Sequence, residues 1–177
     1  MTPVVPSEWP KACRRNPNDC SIGLRIDYCA SSILFTGDAE RDEEAALDVA
    51  PVTLLQVGHH GSSTSTSAGF LARVKPTYVV ISAGKPGEGM NRTYCHPRAE
   101  TVAALTSVLG GSGASTVTAF DGEVSCRSAA AEHWIQVPVS DRLWSTSRDG
   151  DVVLVTRGDG LFRAEGKGSA ETNGTDP

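Results

Sequence analysis

Two neighbouring histidines, His59 and His60, lie between glycines in the stretch VGHHGSS, directly after the largely apolar run 52–57. Asp38 likewise follows a short apolar segment and a glycine, in the stretch FTGDAE. If these segments are neighbouring strands, their ends meet at one edge of a sheet, where the loops of α/β proteins carry functional groups. A carboxylate and imidazoles that converge there can bind a divalent cation such as zinc or manganese. Each feature alone also fits a plain turn, in which Asp38 caps a helix and the histidines bond backbone groups.

Polar residues near this pair extend the candidate site. The hydroxyl-rich segment 62–67, with Ser62 and Ser63 at its start, precedes a predicted helix whose N-terminus can receive a phosphate or carboxylate. The alternative is that these hydroxyls cap the helix. His96 stands before Pro97 at another predicted helix start, where it either caps that helix or reaches the same edge of the sheet. Three cations nearby form either an anion-binding rim or a solvated surface: Lys85, Arg92 and Arg98.

Hydrophobic periodicity places these residues on an α/β pattern. Period-two alternation and short apolar runs predict strands over 21–28, 33–35, 52–57 and 78–82, and the first two are expected to form a hairpin. Helical spacing predicts a helix over 39–48, whose acidic first turns suit the macrodipole. A second helix is predicted from a cap at Thr66 or Ser67 to Pro76, with Phe70, Leu71 and Val74 on one face. After a loop over 84–93, Pro97 suits the first position of a third helix with an apolar stripe of Val102, Leu105 and Leu109.

After residue 110 the pattern changes to short strands. They are predicted over 116–120, 123–126, 134–139, 143–146 and 152–156, with hairpin turns at Asp121-Gly122 and Asp149-Gly150. His133 lies in this region without a partner pattern and is interpreted as structural or exposed. The chain is thus divided into an irregular lead-in over 1–17, a domain over 18–165 that is β-rich from about residue 114, and a disordered tail over 166–177.

Composition narrows the classes of function. The 177 residues carry a net charge of −5, which argues against a surface built mainly for non-specific nucleic-acid binding. No apolar run approaches the roughly 18 residues that span a membrane. The N-terminus lacks the apolar segment of a signal peptide, so the cytoplasm is the default compartment. Five cysteines without a CxxC spacing indicate neither a disulfide framework nor a cysteine zinc site, although one bridge between Cys13 and Cys20 stays open.

Three blocks of the sequence carry the motifs TGD, GHHGS and HP in that order. The blocks are SIGLRIDYCASSILFTGDAE, VTLLQVGHHGSSTSTSAGFLARVKPTYVVISAG and CHPRAETVAAL, and they lie within residues 16–109. They resemble the metallo-β-lactamase superfamily, in particular the soluble domain of its ComEC competence branch. A weaker similarity to that branch returns at WSTSRDGDVVLVTRGDG. The resemblance implies a four-layer αββα sandwich with one or two zinc ions at one edge, manganese being the other candidate.

The resemblance also implies roles for single residues. Asp38 matches the carboxylate that bridges two metals, and His59 matches the late histidine ligand of the second metal. His60 is then either a further ligand or a contact to the substrate, and His96 sits at the histidine–proline step of the branch. The expected substrate contacts are His60, Ser62, Ser63 and His96.

The main ligand motif of the superfamily, HxHxDH, is absent from the sequence. The chain is therefore expected to contain the C-terminal half of the sandwich plus a β-rich extension. We expect a metal-dependent hydrolase with Asp38 and His59 as catalytic residues, incomplete as a stand-alone catalyst, that acts on the phosphodiesters of DNA. The alternative is a non-catalytic fragment or interaction module that pairs with a protein partner carrying HxHxDH. A half-sandwich would expose the apolar sheet face that its other half covers.

Overall fold

The structure is a computed structural model that describes residues 1–110, 113, 115–122 and 133–165. A six-stranded mixed sheet forms its centre. The strands are β1 (Thr2–Val4), β2 (Gly23–Tyr28), β3 (Ser31–Phe35), β4 (Leu54–Gln56), β5 (Tyr78–Ile81), β6 (Ser115–Phe120), β7 (Trp134–Val139), β8 (Leu143–Ser145), β9 (Leu154–Val155) and β10 (Arg163–Ala164). The sheet has the order β1-β2-β3-β4-β5-β8. Strands β1 to β3 run antiparallel, whereas β3, β4, β5 and β8 run parallel. The predicted α/β class and the predicted hairpin of β2 and β3 are confirmed.

Short helices connect the strands of the sheet. They are α1 (Arg41–Ala46), α2 (Ala68–Val74), α3 (Asn91–Tyr94), α4 (Ala99–Leu109) and α5 (Thr146–Asp149). Ser67 caps α2 as predicted, because its side chain accepts a hydrogen bond from Phe70 N. The sequence predicts a loop over 84–93, and the structure places the start of α3 within it.

The predicted start of α4 is wrong. The sequence places Pro97 at the first helical position, but α4 begins two residues later, after an extended Arg98 (φ −82°, ψ 142°). Two contacts hold this extended conformation: Arg98 N donates to Gly61 O at 2.9 Å, and Arg98 forms a parallel bridge with Phe120. His96 and Pro97 therefore belong to a loop that packs against the turn after β4.

One face of the sheet is buried beneath α2 and α4. Leu34, Leu55, Val79 and Leu143 stand side by side on the four parallel strands, and each is at most 1% exposed. Burying a side chain of this size stabilises the fold by about 1.5–3 kcal/mol. The apolar stripes predicted for the two helices are confirmed, because all of their members join this core: Phe70, Leu71, Val74, Val102, Leu105 and Leu109.

The hairpin of β6 and β7 packs on α4, and β8 then returns to the main sheet beside β5. The prediction of a hairpin turn at Asp149-Gly150 is wrong. Asp149 ends α5, which Gly150 closes by donating its N–H to Thr146 O at 3.1 Å. The partner of β9 is instead β10. The predicted strand 123–126, which the Asp121-Gly122 turn would open, and the predicted tail 166–177 lie outside the described residues.

The segment 1–17, predicted to be irregular, contains β1, which extends the sheet by pairing with β2. A 3₁₀ turn follows over Lys11–Arg14, and a second covers Pro17–Cys20. A disulfide between Cys13 and Cys20, which the sequence leaves open, joins the two turns. Among the described helices, none combines the length and the apolar character that a membrane crossing requires.

The opposite face of the sheet is partly exposed. Leu24 pairs with Phe35, and Ile26 pairs with Ile33, so these four apolar side chains share that face. Three of them are half-buried, and Phe35 is 38% exposed. The half-sandwich, for which the sequence predicts such an exposed face, stays a prediction. The described residues do not confirm the four-layer sandwich itself.

Candidate functional site

Three histidines gather at the edge of the sheet where the parallel strands end. His59 and His60 follow β4, and His96 lies in the loop before α4. The ring centres are 5.5 Å apart for His59 and His96, 6.3 Å for His59 and His60, and 6.4 Å for His60 and His96. These rings line a cleft of about 390 Å³. The other residues that line this histidine cleft are Asn18, Asp38, Met90, Asn91 and Tyr94.

The turn that carries the histidine pair is strained. His59 and His60 have φ angles of 45° and 56°, in the left-handed region, which costs a residue with a Cβ atom roughly 1–2 kcal/mol. Backbone hydrogen bonds hold the turn: His59 N donates to Gly37 O at 2.9 Å, and Ser62 N donates to His59 O at 2.9 Å. Backbone strain of this kind concentrates at functional sites, where the surrounding structure imposes it.

His60 and Asp38 form one pair within the cleft. His60 Nε2 lies 3.6 Å from Asp38 Oδ1, and His60 Nδ1 lies 2.8 Å from Ser82 O. Because a carbonyl oxygen can only accept, Nδ1 carries the hydrogen, and the lone pair of the neutral ring is on Nε2. A histidine oriented by a backbone carbonyl in this way has the arrangement of a metal ligand. The structure therefore brings His60, rather than His59, next to Asp38.

His59 lies beside a different carboxylate, Glu40. His59 Nδ1 is 3.4 Å from Glu40 Oε1, but the contact does not meet hydrogen-bond geometry, so this buried nitrogen has no hydrogen-bond partner among the described residues. Asn16 Nδ2 donates to Glu40 Oε2 at 2.9 Å, and Asn18 Nδ2 lies 3.5 Å from Glu40 Oε1. Sequence reasoning missed Glu40, although it stands two residues after Asp38 in the TGDAE motif.

His96 is buried at the back of the cleft. Burial, reinforced by the positive character of His59 and Arg98, lowers the pKa of His96 to about 4, so its ring is neutral near pH 7. Its Nδ1 is buried and has no hydrogen-bond partner in the part of the chain that the structure describes. The backbone is held by Asn91, whose Oδ1 accepts from His96 N at 2.7 Å, and the Tyr94 ring stacks on the imidazole at 6.2 Å. His96 thus reaches the edge instead of capping α4.

The hydroxyl-rich segment does not reach the histidine cleft. Ser62 is buried in its own turn, where its Oγ accepts from Thr64 N at 3.2 Å, and Ser63 O accepts from Arg41 at 2.7 Å. The structure thus does not place Ser62 or Ser63 among the residues that line the cleft, and their substrate contact stays a prediction.

The Glu44 side chain occupies the N-terminus of α2, where the sequence predicts a possible binding site for a phosphate or carboxylate of a ligand. Glu44 is fully buried, and it accepts hydrogen bonds from Thr66 N, from Ser67 N at 2.9 Å and from Ser65 Oγ at 3.2 Å. The neighbouring Glu43 is also fully buried and accepts from Ser21 N at 3.0 Å. Burial raises the pKa of Glu43 to about 7. Glu43 therefore holds the segment at Ser21, and Glu44 holds the segment before α2. Their position in the first turn of a helix does not predict these contacts.

The remaining candidates are not among the residues that line the histidine cleft. His133 Nδ1 lies 3.0 Å from Asp121 O, and its ring packs 5.6 Å from Phe120, which agrees with the structural interpretation. Arg98 donates to Gly122 O at 3.1 Å and stacks over Phe120 at 5.0 Å. Lys85 and Arg92 are exposed.

The donors in the cleft fit part of a zinc site. A catalytic zinc takes three protein ligands and a structural zinc takes four. Within the part of the chain that the structure describes, no group of three or more histidine, cysteine, aspartate and glutamate side chains is arranged to hold a metal ion. The described residues of the cleft offer the carboxylate–imidazole pair of Asp38 and His60, together with two buried imidazole nitrogens that have no hydrogen-bond partner within the described ranges. A complete site would need ligands beyond these.

Comparison with known proteins shows similarity over part of the chain. It is 42% identical over 73 residues to Recombination protein 2 of Haemophilus influenzae, 35% identical over 92 residues to ComE operon protein 3 of Bacillus subtilis, and 39% identical over 72 residues to Competence protein ComA of Neisseria gonorrhoeae. These alignments cover 40%, 50% and 38% of this chain, but 9%, 11% and 10% of those proteins. The chain thus spans about a tenth of the relatives' length. Neither a protein-family model nor a solved structure matches the chain.

Proposed function

We propose that this chain forms the ligand-bearing edge of a metal-dependent phosphodiesterase that acts on DNA during DNA uptake, as a branch of the metallo-β-lactamase superfamily. The observation that carries the proposal is the meeting of Asp38, His59, His60 and His96 in one cleft at the end of parallel strands. The relatives' names, ComE operon protein 3 and Competence protein ComA, support the setting of DNA uptake.

The cleft residues divide into metal ligands and substrate contacts. Asp38 and His60 would hold a zinc ion from this side of the cleft, because His60 Nε2 directs its lone pair into it. His59 would be a further ligand, and the Glu40 carboxylate lies 3.4 Å from its Nδ1. The chemistry that a bound zinc ion supplies is a water activated for attack near neutral pH. Tyr94 is 51% exposed at the rim, where its ring can stack against a nucleobase.

The remaining ligands would come from a segment that carries HxHxDH, either in a longer chain or in a partner. The partly exposed sheet face of Leu24, Ile26, Ile33 and Phe35 supports this proposal, since it offers a surface on which such a segment can pack. The same face favours the second candidate function, a non-catalytic module that binds the partner without cleaving DNA. The two candidates differ in whether the assembled complex hydrolyses phosphodiesters.

A DNA-cleavage assay tests the proposal. Labelled single- and double-stranded DNA is incubated with the chain and zinc or manganese, alone and with a separately expressed HxHxDH segment. We expect metal-dependent cleavage in the combined sample. Since loss of a second-shell partner alone costs about 10–100-fold, loss of the ligand in Asp38→Ala is expected to reduce cleavage at least about a hundredfold.

The matched control is His133→Ala, which removes an imidazole outside the histidine cleft and is expected to retain full cleavage. Cleavage that persists in Asp38→Ala or in the presence of a chelator would contradict the proposal. A stable complex with the HxHxDH segment that never cleaves DNA would establish the binding module instead.

A further inference from the structure

A second cleft, distinct from the histidine cleft, is lined by aromatic and basic side chains. It has a volume of about 600 Å³, and the residues that line it include Trp9, Lys11, Arg14 and Arg15, which we call the N-terminal basic patch. Glu8 adjoins Trp9 in the sequence but does not line the cleft. The patch concentrates three positive charges within five residues of a chain whose net charge is −5. The net charge of the patch is therefore opposite in sign to that of the whole chain.

The charges of the patch are available to a ligand. Lys11, Arg14 and Arg15 are all exposed, and Trp9 is 44% exposed. Over the described ranges of the chain, none of these three cations takes part in a salt bridge. A polyanion that binds here would thus not have to displace an internal partner.

The backbone beneath the patch is held in place. Lys11 to Arg14 form a 3₁₀ turn, and Cys13 N donates to Pro10 O at 3.0 Å. The disulfide from Cys13 to Cys20 ties this turn to the next one. A surface held in this way loses less conformational entropy on binding than a free basic tail would.

The chemistry of the patch matches single-stranded nucleic acid. Proteins that bind single strands combine cations along the phosphate backbone with aromatic rings on which unpaired bases stack. Here the Trp9 ring can stack on a base, and the three cations can bind the phosphates of the backbone. In a duplex the bases are stacked on each other, so the exposed indole favours a single strand over a double strand.

The patch also leads to the histidine cleft. Arg15 is followed by Asn16, which donates to Glu40, and by Asn18, which lines the histidine cleft. Three Cα–Cα steps of 3.8 Å separate Arg15 from Asn18, so their Cα atoms are at most about 11 Å apart. At the rise of about 3.4 Å per nucleotide in a stacked strand, about three nucleotides span that distance.

We propose that the N-terminal basic patch binds single-stranded DNA and directs it toward the histidine cleft. The choice of DNA among polyanions rests on the proposed function, whereas the surface itself rests on the charges, the tryptophan and the disulfide-linked turns. Trp9, Lys11, Arg14 and Arg15 are not among the residues that line the histidine cleft, so the proposed role of the patch is binding alone.

Fluorescence anisotropy with a labelled oligothymidine of about 20 nucleotides tests the inference on the whole chain. The triple variant Lys11→Glu, Arg14→Glu, Arg15→Glu is expected to bind at least about tenfold more weakly, with a salt slope smaller by about 2, since each phosphate contact on a single strand contributes about 0.7. Trp9→Ala is expected to weaken binding at least about fivefold, and Trp9→Phe to restore most of it. The matched control reverses three exposed cations elsewhere, Lys75→Glu, Arg142→Glu and Arg157→Glu, and is expected to retain affinity.

Three results would overturn the inference. Equal affinity of the two triple variants would show that the effect is one of net charge. Binding to anionic phospholipid vesicles without binding to the oligonucleotide would assign the patch to a membrane surface. If the chain bound duplex DNA as tightly as single-stranded DNA, and Trp9→Ala did not weaken binding, Trp9 would not stack on unpaired bases. Failure of the cleavage assay is a separate outcome, because the anisotropy experiment measures binding to this chain alone and requires neither a metal nor cleavage.

Discussion

Replacing Glu44 by alanine is expected to lower the free energy of unfolding by about 3–5 kcal/mol. The Glu44 carboxylate is fully buried and accepts three hydrogen bonds at the start of α2, from Ser65 Oγ, Thr66 N and Ser67 N. Alanine would leave one buried and one partly buried backbone N–H group, those of Thr66 and Ser67, without acceptors, and it would create a cavity between α1 and α2. Hydrogen bonds to a charged group each contribute about 1.5–3 kcal/mol, and part of this loss is recovered by hydration.

Urea denaturation measures this change, and the chain offers two controls. Asp42→Ala alters an exposed acid on the same helix and is expected to change the free energy of unfolding by less than about 0.5 kcal/mol. Glu44→Gln keeps one acceptor oxygen and is expected to fall between alanine and the native residue. If Glu44→Ala were no more destabilising than Asp42→Ala, the assignment of Glu44 as the hydrogen-bond acceptor at the N-terminus of α2 would be wrong.

Replacing Gly61 by alanine is expected to destabilise the fold by about 2–5 kcal/mol and to displace the histidine turn. A Cβ atom at Gly61 would lie 2.7 Å from Pro97 Cβ and 3.2 Å from Pro97 Cα. Overpacking of this kind costs about 1–3 kcal/mol. The φ angle of +83° adds backbone strain of about 1–2 kcal/mol for a residue with a side chain. Because Pro97 adjoins His96, relief of the clash would separate His96 from the other two histidines.

Gly69 provides the matched substitution for this experiment. It lies in α2, and a Cβ atom built there meets no other atom within 4 Å. Gly69→Ala is expected to stabilise the protein by about 0.5–1 kcal/mol through reduced backbone entropy of the unfolded chain. Thermal unfolding followed by circular dichroism compares the two variants. Equal melting temperatures would contradict the close approach of the histidine turn to Pro97.

Local patterns in the sequence predict most of the elements that position the histidine cleft. Alternation identifies β2, and the stripe of Val102, Leu105 and Leu109 identifies the buried face of α4. The rule that functional groups collect at strand ends brings Asp38 and His60 together, because β3 and β4 are indeed neighbours in the sheet. The predictions of β2 and α4 succeed because each depends on residues close together in the chain, whereas the meeting of Asp38 and His60 depends on the pairing of β3 with β4.

The features that sequence reasoning missed depend on contacts between distant segments. Glu44 resembles an ordinary first-turn acid, yet the N–H groups that donate to its carboxylate lie more than twenty positions away in the segment before α2. The extended Arg98 depends on Gly61 and Phe120, which no local propensity reports. The choice between His59 and His60 as the neighbour of Asp38 depends on Ser82, which orients one ring. Adjacent residues of the same type cannot be distinguished without that distant carbonyl.

Zinc titration of the purified chain, read by calorimetry and elemental analysis, tests the central claim that the histidine cleft holds a metal. Because this chain supplies only part of the ligand set, we expect the native protein and His133→Ala to bind about one zinc ion per chain weakly, and Asp38→Ala and His60→Ala to bind it at least about tenfold more weakly still. A zinc affinity that is the same in all four proteins would place the metal outside the cleft and contradict the claim.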